Sequence, residues 1–142
     1  MRDILLGTAA GSGLYYLPPG HQKAVEKSAG KLHFQFLPAD LSGCQTMTDA
    51  LKQLGNKLHF PDWYRSNFDA LYDCLSDPSW SPAPGKIIVI EGCDSLRLAD
   101  PAGFATLIEV FQAAADARRE NDHPFWLLLD SPIPGIAALP EA

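Results

Sequence analysis

The chain has 142 residues, of which 46% are hydrophobic, and a formal net charge of −6. This length and composition predict one globular domain with a single core, and they exclude an intrinsically disordered chain. The acidic balance argues against nucleic acid as a direct partner, because affinity for a phosphate backbone depends on Lys and Arg. It is compatible with a basic protein partner. No apolar run approaches the roughly 20 residues of a membrane span, so we expect no membrane partner.

The cysteines and the N-terminus indicate where the protein works. Cys44, Cys74 and Cys93 are odd in number and form no close-spaced pair. This pattern predicts reduced thiols and argues against a disulfide framework or a zinc site. The apolar run Ile4–Leu6 is too short for the core of a signal peptide, and Asp3 precedes it. We therefore expect a cytoplasmic protein.

Strand and helix patterns alternate in the first part of the chain. Residues 14–17 predict a short strand, and residues 21–29 predict a helix that ends at Gly30. In residues 31–36 apolar and polar side chains alternate, which predicts a second strand that ends before Pro38.

The middle of the chain carries two predicted helices and an apolar strand. Thr46 or Thr48 predicts the cap of a helix that reaches about Leu58. A second helix is predicted over about 67–75. Residues 87–90 form an uninterrupted apolar run, which is typical of a strand covered on both faces.

The last elements complete the expected fold class. Asp100 followed by Pro101 predicts a helix start, with a buried stripe further along that helix, and residues 125–129 predict the last strand. Alternating elements with two continuously apolar strands indicate an α/β fold. We expect a single domain in which a small, mostly parallel sheet of three to four strands is flanked by helices. The predicted buried stripe consists of Phe104, Leu107, Ile108 and Phe111.

The stretch from Phe60 to Trp80 is the most informative for function. On the second predicted helix, Asp69, Asp73 and Asp77 are spaced four apart and should align along one side. Like charges at this spacing repel, so the stripe costs stability that its position near the helix start only partly recovers. The opposite side should pack on the core through Phe68, Leu71 and Leu75, and the expected caps are Ser66 and Asn67.

Aromatic side chains are mixed with these carboxylates. Four aspartates against one arginine give this stretch a net charge of −3. Rigid aromatic area together with carboxylates is typical of a binding hot spot directed at a basic protein. The alternative is a solvated helix face whose aromatic residues pack in the core. The candidate partner-binding residues are Trp63, Tyr64, Asn67, Asp69, Tyr72, Asp73, Asp77 and Trp80.

Signatures of catalysis or of cofactor binding are weaker. The early glycines do not match a dinucleotide-binding spacing, and no phosphate-binding loop is present. A Ser or Cys nucleophile has no local signature. Asp69 and Asp73 on one solvent-facing helix would make a poor metal cage. We therefore expect no catalytic residue, no metal and no cofactor. The four histidines lack metal-ligand spacing and are His21, His33, His59 and His123.

The run Phe60–Tyr64 followed by Asn67–Leu75 closely resembles the signature loop and second helix of the barstar family of bacterial intracellular ribonuclease inhibitors. The order of elements from Lys31 to Leu129 is also similar. The resemblance implies that residues 31–130 form a barstar-like domain. It leaves residues 1–30 as an extension with an extra strand and helix. Within that extension, Gly7, Gly11 and Gly13 predict that residues 1–13 are poorly ordered. The Pro-rich sequence of residues 131–142 predicts a loose C-terminal tail.

In this family the loop and helix block a ribonuclease active site, where carboxylates meet the basic groups that bind substrate phosphate. By position, the resemblance implies that Asp73 is the central phosphate-mimicking carboxylate and Asp69 its neighbour. Trp63 is similar to the loop aromatic residue of the family, and Tyr72 to its helix aromatic residue.

Two positions depart from the family pattern. Arg65 stands where the family loop usually has Gly, so we expect a strained backbone there as well as a bulky cation beside the acidic surface. A family acidic contact in the long helix aligns with Ala113, although Asp116 lies nearby. These departures leave the identity of the partner open.

The leading hypothesis is an immunity-type protein, not an enzyme, that inhibits a ribonuclease or ribonuclease toxin. One alternative is a binding module of the same fold with a non-nuclease partner. Another is a small α/β enzyme with an unlocated site.

Overall fold

The computed structural model describes residues 6–77 and 83–140. Trp80 therefore lies outside the described residues. The described elements, in chain order, are β1 (Gly13–Tyr16), α1 (Gln22–Leu32), β2 (Gln35–Asp40), α2 (Met47–Lys57), α3 (Phe68–Ser76), β3 (Lys86–Glu91), α4 (Cys93–Ala99), α5 (Pro101–Glu120) and β4 (Phe125–Leu129).

The four described strands form one sheet in the order β1-β4-β3-β2, and all of the pairs are parallel. Parallel neighbours need long crossover connections, which the helices provide. The central strands β3 and β4 are buried along almost their whole length, as their continuous apolar sequences predict. The expected α/β fold with a small, mostly parallel sheet is confirmed.

Helices cover both faces of this sheet. On one face, α2, α3 and α5 bury their apolar sides in the main core together with Ile88 and Leu127. On the other face, Val25 and Ala29 of α1 pack in a smaller cluster with Trp126. The acidic helix α3 and the N-terminal helix α1 therefore lie on opposite sides of the molecule.

The segment before β1 is more ordered than the glycines suggested. Leu6 is fully buried, and its carbonyl accepts a hydrogen bond of 2.9 Å from Nε1 of Trp126. Ser12 is also buried and bonds to the carbonyl of Ala9. The expectation of poor order is wrong for residues 6–12, because a buried indole N–H needs an acceptor and this segment supplies it. Residues 1–5 lie outside the described residues.

The C-terminal segment is not a loose tail. Leu139 is buried, and its N–H donates to the carbonyl of Tyr16 at 2.8 Å. Ile133 and Ile136 pack against the main core. The expectation of a loose tail is wrong for residues 131–140, because apolar side chains between the prolines pack against the rest of the domain.

The second strand lies further along the chain than the alternating pattern predicted. Helix α1 continues through Gly30 to Leu32 and ends where His33 takes a left-handed backbone (φ 59°). Strand β2 then begins at Gln35 and continues through Pro38. A proline fits there because β2 is the edge strand of the described sheet, so its missing N–H can face away from the only neighbour.

The main helix starts are as predicted. Thr46 caps α2, Asn67 caps α3 and Asp100 caps α5, each accepting a bond from a backbone N–H three residues on. Helix α4 was not predicted. It has only seven residues, and its start at Gly92 has no side-chain cap.

Candidate partner-binding surface

Helix α3 begins at a well-defined cap. Ser66 takes a left-handed backbone (φ 53°), which turns the chain into the helix. The next residue, Asn67, accepts a hydrogen bond of 2.7 Å at Oδ1 from the N–H of Ala70. Asn is among the favoured residues at this position because its short side chain reaches the first free N–H groups of a helix. The start of the surface is therefore fixed by local hydrogen bonds.

The inner side of α3 fixes its orientation. Leu71 and Leu75 are fully buried in the main core, and the helix packs along α5. Cys74 is buried beside them, and burial raises the pKa of its thiol to about 11, with a smaller contribution from Asp73 and Asp77. The thiol is therefore protonated at neutral pH.

The far end of α3 is held by a buried cation. Arg118 of α5 is 1% exposed and donates from Nε to the carbonyl of Leu75 at 2.8 Å and from Nη2 to the carbonyl of Asp77 at 2.7 Å. Its guanidinium also lies 5.1 Å from the ring centroid of Phe125. Burial lowers the pKa of Arg118 to about 10, so the group stays charged at neutral pH. No sequence pattern pointed to this residue.

The outer side of α3 is open to solvent. Asp69, Tyr72 and Asp73 are exposed, and Tyr72 is among the exposed large hydrophobic side chains of the chain. Among the described residues, the carboxylates of Asp69 and Asp73 form no hydrogen bond or ion pair. A rise of about 1.5 Å per residue separates these two positions by about 6 Å along the helix axis. The surface thus presents two adjacent carboxylates without partners.

Asp77 does not extend this stripe. The helix ends at Ser76, and Asp77 takes an extended backbone (φ −79°, ψ 114°) as the C-terminal cap. Its carbonyl is occupied by Arg118, and the residue is half-buried. The predicted alignment of three carboxylates on one helix face is therefore wrong for its third member, because the helix ends one residue before Asp77. Binding of a partner by Asp77 itself stays a prediction.

The aromatic residues of the preceding loop differ in exposure. Trp63 is 48% exposed, so its ring is available for contact. Tyr64 turns inward: its hydroxyl donates to the carbonyl of Leu51 at 2.7 Å, and its ring lies 4.8 Å from that of Phe60. Burial raises the pKa of Tyr64. Tyr64 thus anchors the loop to α2, and a direct partner contact by Tyr64 stays a prediction.

A shallow cleft of about 340 Å³ lies between α2 and this loop, beside the ring of Tyr64. Lys52 and Asn56 of α2 line one side, and Pro61 and Asp62 of the loop line the other. The cleft therefore adjoins the exposed loop and α3 surface.

The sequence model of one protein family, described as Barstar (barnase inhibitor), matches residues 34–130. The chain belongs to the barstar family. The match includes the loop, α3 and α5, whereas β1 and α1 precede it. No curated protein matches the chain. Barstar-family membership supports a protein partner for this chain.

Arg65 departs from the usual barstar loop. Its side chain is exposed and forms no hydrogen bond or ion pair with any described residue. The residue with a left-handed backbone is Ser66, so the predicted strain at position 65 is wrong by one residue. The bulky cation is therefore accommodated without an unfavourable φ.

The second departure from the barstar pattern lies on α5. Ala113 is exposed and offers no charge. Asp116 is engaged by its own helix, since its Oδ1 accepts from Nη2 of Arg119 at 2.6 Å and from Nε2 of Gln112 at 2.9 Å. Its carboxylate is thus partly neutralised and is no simple substitute for an acid at position 113.

Metal binding has no candidate site in the described part of the chain. Within residues 6–77 and 83–140 no group of three or more His, Cys, Asp and Glu side chains could hold a metal ion. All three cysteines are free, and burial raises the pKa of Cys93. No helix in the described part of the chain has the length and apolar character needed to cross a membrane.

Proposed function

We propose that this chain is an immunity-type inhibitor that binds a ribonuclease or ribonuclease toxin and blocks its active site. The single observation that carries the proposal is the unpartnered pair Asp69 and Asp73, exposed on a helix fixed at both ends by Asn67 and Arg118. The two carboxylates repel each other and make no internal contact, and only Asp69 is favoured by its place in the first turn, so a binding role explains the pair best.

The physical basis is charge matching. A ribonuclease active site must hold a phosphate with positive groups, and two carboxylates about one helical turn apart can interact with the same groups. Exposed rings at Trp63 and Tyr72 would supply rigid contact area around them. Because the scaffold of α3 is buried and hydrogen-bonded, little order has to be gained on binding. No catalytic group of the chain itself enters this mechanism.

We place the protein in the cytoplasm as part of the same proposal. The free thiols Cys44, Cys74 and Cys93 are typical of a reducing compartment. An inhibitor held there would protect the producing cell from a nuclease before its export.

The direct test is an RNA-cleavage assay with purified basic ribonucleases secreted by bacteria. At least one should lose its activity at an equimolar ratio of the chain, and Asp73→Ala should restore cleavage. Glu26→Ala is the matched control, since Glu26 is exposed on α1 at the opposite face. RNA hydrolysis by the chain alone would contradict the proposal.

A second candidate is a barstar-fold binding module with a non-nuclease partner. The uncompensated Arg65 and the uncharged Ala113 favour it, because both change the charge pattern of the surface. Tight binding of a purified non-nuclease that depends on Asp73, with no inhibition across the ribonuclease panel, would decide for this candidate.

A further inference from the structure

Arg65 is a cation on an otherwise acidic surface. It lies between the exposed Trp63 and the start of α3, and its side chain is exposed. Neither Asp62 nor Asp69 pairs with it, and no other described residue does so. The side chain therefore contributes no ion pair to the free protein.

Its position is also unfavourable for the free protein. The N-terminus of a helix carries a partial positive charge, so a cation just ahead of α3 is repelled where an anion would be stabilised. Internal stability therefore does not account for the presence of Arg65.

The backbone on both sides of Arg65 is fixed. Tyr64 is held by its hydroxyl bond to Leu51 and by its N–H bond to the carbonyl of Pro61 at 3.0 Å. On the other side, Ser66 turns the chain and Asn67 caps α3. The cation is thus presented from a defined point of the surface, beside the carboxylates of α3.

We propose that Arg65 is a specificity-determining residue that selects partners with a carboxylate facing the 61–66 loop, next to the basic site that faces Asp69 and Asp73. This inference rests on the proposed function. A partner that buried Arg65 against further basic groups would strand a desolvated charge, which is strongly unfavourable. A partner carboxylate at that point would turn the same charge into a favourable contact.

Reversing the charge at position 65 tests the inference, because the inference predicts the direction in which inhibition changes. Inhibition constants should be measured for wild type, Arg65→Gly, Arg65→Glu and Lys27→Glu against the same panel of purified basic secreted ribonucleases. Lys27→Glu makes the same charge change on the opposite face and controls for long-range attraction. For a ribonuclease that wild type inhibits, Arg65→Glu should weaken inhibition at least tenfold, and Lys27→Glu less than threefold. No variant should have a lower unfolding midpoint than wild type, so that weaker inhibition cannot be due to loss of the fold.

The other outcomes are equally decisive. If wild type inhibits no member of the panel but Arg65→Gly does, Arg65 excludes those nucleases, which supports the inference. If Arg65→Glu inhibits as tightly as wild type or more tightly, the inference is overturned. Asp73→Ala would then still report on the proposed function by itself. Failure of both wild type and Arg65→Gly to inhibit any member would overturn the proposed function and this inference with it.

Discussion

The guanidinium of Arg118 and the carbonyl of Leu75 form a 2.8 Å hydrogen bond that joins the long helix α5 to the end of α3. The two residues are 43 positions apart in the sequence. The carbonyls at the end of a helix lack hydrogen-bond donors within that helix. A buried cation there donates to them and also interacts favourably with the helix dipole. The acidic face of α3 is therefore held from inside the core.

Replacing Arg118 by Met should lower the free energy of unfolding by about 3 kcal/mol, because the carbonyls of Leu75 and Asp77 would be left without their donor. Lys at the same position should rescue only part of the loss, since an ammonium group cannot reproduce the planar array of donors. Denaturant unfolding measures both variants. The control is Arg97→Ala, which removes an exposed ion pair with Asp94 and should cost less than about 1 kcal/mol. Equal costs for Arg118→Met and Arg97→Ala would contradict the anchoring role.

Asp73→Ala should weaken partner binding by more than about 2 kcal/mol, because removal of one charge strands the partner's cation in the interface. The barnase–barstar complex is among the examples from which that range comes, so the magnitude is carried over from the family. The stability of the free protein should stay the same or rise slightly, since repulsion between Asp69 and Asp73 is relieved. Affinity and denaturant midpoints are measured together, with Glu26→Ala as the control. If Asp73→Ala unfolds the protein or binds as tightly as wild type, Asp73 is not the anchor.

Association with the partner should be fast and sensitive to salt. The unpartnered carboxylates of Asp69 and Asp73 attract a basic protein before contact, and this attraction is screened over about 8 Å at physiological ionic strength. We expect the association rate constant to fall several-fold between low and physiological salt, with a smaller change in the dissociation rate constant. Stopped-flow mixing measures both. An association rate constant that does not change with salt concentration would mean that these carboxylates are only part of the solvated surface.

The buried Lys86 should give the stability a distinct pH dependence. It is fully buried, its ammonium donates to Oε1 of Gln35 at 2.8 Å, and burial, together with the nearby Arg118, lowers its pKa to about 8 from 10.5. Between these two pH values the unfolded chain binds the proton more strongly than the folded chain. The contribution of Lys86 to the unfolding free energy therefore rises with pH across this window.

Lys86→Met removes this titration. The unfolding free energy of the variant minus that of wild type should be highest below pH 8. It should fall by on the order of 3 kcal/mol towards pH 10.5, because this is the free energy that corresponds to a pKa shift of this size. Unfolding free energies at several pH values give the difference, in which the titration of Cys74 and Tyr64 cancels. Lys23→Met, at an exposed position of α1, is the matched control for the replacement of a lysine by a methionine. A difference that is the same at pH 7 and pH 10 would contradict the pKa of Lys86.

Local patterns predicted the parts of the fold that depend on local physics. Asn67 and Asp100 were recognisable as caps because a cap is a contact over three residues. The burial of β3 and β4 followed from their continuous apolar sequences. The exposed face of α3 followed from its helical spacing together with the family resemblance.

The remaining features depend on contacts that no short pattern contains. The departure of Asp77 from the helix face follows the end of α3 at Ser76, beside carbonyls that Arg118 holds from another helix. The inward turn of Tyr64 depends on the carbonyl of Leu51, which a sequence cannot mark as an acceptor. The continuation of β2 through Pro38 depends on its position at the edge of the described sheet, which is set by the order of the strands.

The position of β1 has a consequence for how the protein is made. This strand is synthesised early but pairs with β4, whose residues follow much later, and the bond between Trp126 and Leu6 spans 120 residues. The segment therefore cannot complete its pairing until β4 has left the ribosome, and contacts so distant in the sequence also form slowly. During that interval Leu6, Leu14 and Leu17 have none of their final neighbours from β4 and the C-terminal segment. Nascent chains should therefore be open to proteases and chaperones at this segment until β4 has been synthesised.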